Sequence, residues 1–207
     1  MDLSAWHREF GAACFTLAPT TPRNLLTALG VTTEPEPVGD LVKELRDHHE
    51  YAWSMENIDA PEDQETPLIA AAALDGEWSV AVEVDGMTGY VGCARPILRS
   101  LSQSFGRACS CYYDTGNAQV FTSTEGAGPV RVNTLSGRRD AALPPEQEQA
   151  LTDAGFAGGG FRTLAPRLQQ MHDIERLDVA LNALTGRHLA DCINAADWIA
   201  GQTHSRY

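Results

Sequence analysis

Between Leu68 and Val91 the chain carries a pattern that fits little other than an antiparallel hairpin. Leu68 to Leu74 is short and apolar, and Asp75-Gly76 follows as a two-residue turn. Trp78, Val80, Val82 and Val84 then alternate with Glu77, Ser79, Ala81 and Glu83. Successive strand residues point to opposite faces, so the first set is expected inward and the second on a more exposed face. Asp-Gly between such runs favours the tight turns of hairpins. A second Asp-Gly, at 85 and 86, leads into Met87 to Val91 and predicts a third strand.

A second meander is expected further on. Arg107 to Tyr113 reads as a strand, Asp114-Thr115-Gly116-Asn117 as a turn, and Ala118 to Ser123 as the return. Glu125 to Gly128 turns again into Val130 to Leu135. Ala13 to Leu17 is a further strand, or an extension of a short helix from Trp6 to Phe10. Thr21, Pro22 and Gly30 mark a helix by its cap, first turn and stop. Other helices are expected from Asp40 to Ser54, Pro96 to Ser104, Pro144 or Pro145 to Ala154, Asp173 to Thr185, and Leu189 to Ala200. The fold class is therefore α+β, an antiparallel sheet of about five to six strands in two meanders, packed by N- and C-terminal helices. Residues 1–207 are read as one domain, with an acidic connection at 55–67, loops at 136–143 and 155–162, and a tail at 202–207.

The 207 residues carry a net charge of −13. That balance opposes nucleic-acid binding, which draws its affinity from basic residues on phosphate, and it opposes docking on anionic membranes. No apolar run is long enough to span a bilayer, and Met1-Asp2-Leu3-Ser4 is no secretory leader, so a cytoplasmic location is expected. Five cysteines, an odd count, fit free thiols in a reducing compartment. Arginine supplies nearly all positive charge, with Lys43 the only lysine. No Lys or Arg lies between Arg46 and Arg95, a stretch that holds Glu62, Asp63, Glu65, Asp75, Glu77, Glu83 and Asp85 among its acids. A solvated face explains this blandly, and a recognition surface for a basic protein explains it more sharply.

Catalytic signatures are missing. Cys109-x-Cys111 puts two thiols on one face of a strand, with Cys93 a candidate to approach them, but the paired CxxC spacing of a zinc site is not there. The six histidines show neither HxxxH nor HExxH spacing, so no metal site is expected. Gly155 to Gly160 superficially suggests a phosphate loop, but it follows a helix rather than a strand, and no Gly-Lys-Ser/Thr follows it, which argues against one. Glu77, Glu83 and Asp85 could form an acid–base pair, but exposed strand positions account for them as well. No cofactor is implied.

Three blocks carry a resemblance. They are Cys14-Phe15-Thr16-Leu17 with Thr21 to Gly30; Gly89-Tyr90-Val91-Gly92 through Leu98 to Ser102 and on to Ala108-Cys109-Ser110; and Leu181 to Leu189 with its Thr185-Gly186. In order and spacing the chain resembles an actinobacterial family of uncharacterised proteins, a resemblance that implies no activity and transfers no catalytic residue.

Three functions compete on this reading. The first is a non-enzymatic, immunity-like or accessory partner of a basic protein, with Glu62, Asp63 and Glu65 on its surface. The second is a small-molecule binder or enzyme with a pocket between sheet and helices. Its lining would come from Trp53, Trp78, Tyr90, Tyr112 and Tyr113, with Arg107 or Asp114 as polar groups. The third is a purely structural subunit or homodimer. The balance leans away from catalysis.

Overall fold

The computed structural model describes residues 1–56, 67–84, 90–114 and 116–203, with side chains of 51–56 left aside. Eight strands form one antiparallel sheet in the order β2-β8-β3-β4-β1-β5-β6-β7. Their ranges are β1 Ala13–Ala18, β2 Glu36–Pro37, β3 Leu68–Ala73, β4 Ser79–Glu83, β5 Arg107–Asp114, β6 Asn117–Thr124, β7 Val130–Asn133 and β8 Ile199–Gln202. The class is α+β as the pattern requires, but the sheet is wider than five or six strands. The extra width comes from β1, which joins the two expected halves, and from β2 and β8, which add an edge.

Eight α-helices lie among the described residues. They are α1 Leu3–Glu9, α2 Pro22–Ala28, α3 Leu41–Glu56, α4 Arg95–Phe105, α5 Pro145–Asp153, α6 Pro166–Gln169, α7 Asp173–Thr185 and α8 Leu189–Ile193. The sheet is covered on both faces. Phe15, Leu17, Val80, Val82, Cys109, Cys111 and Val120 point into the larger core, together with Leu177 and Leu181 of α7, Leu151 of α5 and Trp6 of α1. Ala18, Ala81, Ala108 and Phe121 point the other way, against Leu25 and Leu26 of α2 and Leu98 and Leu101 of α4. Burying each such leucine or phenylalanine contributes about 1.5–3 kcal/mol, so the two helical layers hold the sheet from both sides.

Local signals build the helices as expected. Thr21 accepts the Asn24 N–H at 3.3 Å, and Pro22 opens α2. Pro96 sits in the first turn of α4, and Gly106 closes it at φ 81°, a conformation that suits glycine. Gly186, at φ 72°, ends α7 in the same way.

Three expectations need correction. All five residues of β4 are buried, because α2 and the turn at 91–93 cover the face on which Glu83 and Ser79 were expected exposed. The expected helix from Leu189 to Ala200 stops at Ile193, and Ile199–Gln202 is a strand held between β3 and β2. Of the expected strand at 87–91, residues 87–89 lie outside the described residues, and Val91–Cys93 form a 3₁₀ turn. The glycine-rich loop is tied down: Gly160 N–H donates to Ser136 O at 3.0 Å, and Arg139 donates to Phe156 O at 2.8 Å.

Candidate functional site

Strand register builds a polar strip on the face covered by α2 and α4. Cys14 of β1 stands opposite Glu83 of β4 and Tyr112 of β5, and Tyr112 stands opposite Gln119 of β6. One step along, Thr16 stands opposite Ser110. Directly opposed side chains have Cβ atoms about 4.5–5.5 Å apart, so Glu83, Cys14, Tyr112 and Gln119 form a row across four strands.

The 3₁₀ turn Val91–Cys93 closes over this row. The Glu83 carboxylate accepts the Val91 N–H at 2.8 Å and the Gly92 N–H at 2.9 Å. Gly92 is obligatory there for want of space: a Cβ on it would sit 1.8 Å from Thr16 Oγ1 and 2.9 Å from Glu83 Oε1. Cys93 Sγ lies 3.5 Å from Cys14 Sγ, and Ser110 Oγ lies 3.3 Å from Cys14 Sγ and 3.0 Å from Thr16 Oγ1.

Tyr90 enters from just before the turn, its ring 5.9 Å from that of Tyr112, which in turn stacks at 6.2 Å on Phe121. Asn117 donates to Tyr112 OH at 2.7 Å, and Gln119 Nε2 donates to Asn117 Oδ1 at 2.7 Å. Two polar atoms of the strip are buried with no partner, the Tyr90 hydroxyl and Gln119 Oε1.

Burial dominates the electrostatics. Glu83 is 3% exposed, and burial pushes its carboxyl up to about 7, against the pull of its two backbone donors. Burial likewise raises the Tyr90 hydroxyl well above its ordinary range, with the nearby Cys14 and Glu83 adding to it. The strip thus holds a carboxylic acid that titrates near neutrality, an unpartnered hydroxyl and, three strands from the acid, an unpartnered amide oxygen. Such a strip suits an amine, a guanidinium or another group rich in N–H.

The structure divides the residues expected at a site. Tyr90 and Tyr112 come together. Trp78 is buried in the larger core on the opposite face, where the Arg107 guanidinium lies 4.5 Å from its ring centroid. Tyr113, one residue past Tyr112, also faces that core and donates to Phe10 O at 2.9 Å. Glu62, Asp63 and Glu65 lie outside the described residues, as does the Trp53 side chain. Cys109 and Cys111 do share a face, but Cys93 approaches Cys14 on the other one.

A depression of about 480 Å³ opens away from this strip, between Arg107, Thr124, Glu77, Glu146 and Gln147. None of these five side chains is an unpartnered buried group. Among the described residues no cluster of three or more His, Cys, Asp or Glu is placed to hold a metal ion, and no helix is long and apolar enough to cross a membrane.

No curated protein matches the chain significantly, and no solved structure does. One family model matches it over residues 4–199, described as a family of unknown function, DUF6461.

Proposed function

The chain belongs to that family, DUF6461, so its role has to be read from its own residues, and we propose that it is a non-catalytic binding protein for a cationic, N–H-rich small molecule. The observation that carries this reading is the strip itself: a Glu83 carboxyl buried at 3% exposure in the same strip as two partnerless polar atoms, Tyr90 OH and Gln119 Oε1. Leaving such atoms unpaired costs about 1–3 kcal/mol each, a loss that a ligand donating to them would recover. The aromatic rings of Tyr90 and Tyr112 add faces that attract a cation. A bound cation favours the ionised carboxylate, so binding should release a proton near neutral pH and strengthen as pH rises from 6 to 8.

The test is a thermal-shift and calorimetric screen of alkylamines, guanidines and polyamines. Stabilisation of the wild-type chain by one class, lost in Glu83→Gln and reduced in Tyr90→Phe, is the expected result. Absence of any shift across the panel rejects the reading.

A second reading is favoured by one specific observation, the net charge of −13 with no Lys or Arg between Arg46 and Arg95. It makes the chain an acidic, immunity-like or accessory partner of a basic protein. Immobilised chain should then retain a basic protein at low salt. Glu62→Gln, Asp63→Asn and Glu65→Gln together should abolish retention, and no retention at low salt rejects this second reading. A cytoplasmic location in an actinobacterial host accords with both readings through the free thiols and the arginine-rich, lysine-poor composition.

A further inference from the structure

We propose that Cys14 and Cys93 are a reversible dithiol–disulfide pair that locks the 3₁₀ turn onto the sheet when a peroxide oxidises it. The proposal is independent of any ligand at the polar strip. All five cysteines are free thiols, and they differ sharply in setting. Cys109, Cys111 and Cys192 are sealed in the larger core, and burial pushes Cys192 up to about 12. Such thiols are inert. Cys93 is half-buried and is the one cysteine of the five that is not fully enclosed. Its sulfur is 3.5 Å from that of Cys14, within a small side-chain adjustment of bonding distance.

The geometry assigns an order to the two thiols. Cys93 is reachable and reacts first: its thiolate attacks one oxygen of hydrogen peroxide, the O–O bond breaks, and a sulfenic acid and hydroxide result. Cys14 then attacks the Cys93 sulfur, expelling hydroxide as the S–S bond forms. The two thiol protons end in water, so two thiols and one peroxide give one disulfide and two waters. Cys14 is a poor nucleophile unaided, because burial and then the neighbouring Cys93 sulfur hold its thiol well above the ordinary range. Its cross-strand neighbour Glu83, which titrates near 7, is the base on hand to take the proton.

The disulfide would join β1 to the turn that holds Glu83 through the Val91 and Gly92 N–H groups. Oxidation therefore fixes the turn, and reduction frees it.

The test treats the full chain with stoichiometric hydrogen peroxide at neutral pH, then alkylates it in denaturant and maps its peptides by mass spectrometry. The expected product has lost two hydrogens, carries a Cys14–Cys93 crosslink, has Cys109, Cys111 and Cys192 alkylated, melts at a higher temperature and is restored by dithiothreitol. Cys14→Ser should instead accumulate a Cys93 sulfenic acid that dimedone traps. If the wild-type chain leaves Cys14 alkylated while Cys93 proceeds to sulfinic acid, or if Cys93 does not react, the proposal fails. The wild-type map alone decides this even if Cys14→Ser does not fold.

Discussion

Glu83 shows how far one residue can depart from what its chemistry prefers. An acid in a strand of valines is ordinarily solvent-facing, yet the 3₁₀ turn closes over it and two backbone donors of that turn hold it. Its folded-state value, about 7, lies above the ordinary 4.5. The folded chain therefore binds this proton more tightly than the unfolded chain does. Stability is greatest below pH 4.5 on this account, falls as pH rises through the window from 4.5 to 7, and levels off above it. The shift of about 2.5 pH units corresponds to roughly 3 kcal/mol. Urea denaturation across that window should show the decline in the wild-type chain, and Glu83→Gln should flatten it. A wild-type profile that rises with pH through this window would contradict the burial of the carboxyl.

Elements respond to different constraints. The 3₁₀ turn lies against β1 so closely that a methyl group at residue 92 has no room, its nearest neighbour being Thr16 Oγ1. Gly92→Ala should cost about 1–3 kcal/mol by overpacking, and adding Thr16→Ala should recover part of that loss in a double-mutant cycle. Independent, additive losses in urea titrations would show that the two groups do not meet. Which elements the sequence reveals follows from the same distinction between local and distant causes. Helix α2 is marked by Thr21, Pro22 and Gly30 within ten residues, and the β5–β6 hairpin by alternation around its turn. By contrast, Ile199–Gln202 is a strand solely because β3 and β2 flank it, so its own four residues do not announce it. The site divides likewise. Tyr90 and Tyr112 stand out as aromatic residues at a strand and its approach, and parity alone sends Tyr113 to the opposite face. Cys14 and Glu83 join them through register between strands far apart in sequence, which composition does not encode.

The whole molecule has a centre and margins. β1 pairs with β4 on one side and β5 on the other, and helices cover both of its faces, so every residue from Ala13 to Ala18 is buried. Its amides should exchange with deuterium last, by global opening, while those of β2 and β7 at the two edges exchange through local fraying. Early exchange at Phe15 or Thr16 in a mass-spectrometric time course would contradict the central placement of β1.

The position of β8 has a consequence for how the protein is made. β3 acquires its outer neighbour from residues 199–202, and among the described residues β2 pairs with β8 alone. On the ribosome, β1, β4, β5, β6 and β7 can assemble while the remainder is still being translated. The outer side of β3 would meanwhile present open backbone, the kind of edge that invites pairing with another chain. Synthesis rate between Asn133 and Ile199 thus sets how long each nascent molecule stays vulnerable, and a chaperone that shields strand edges would act in that interval.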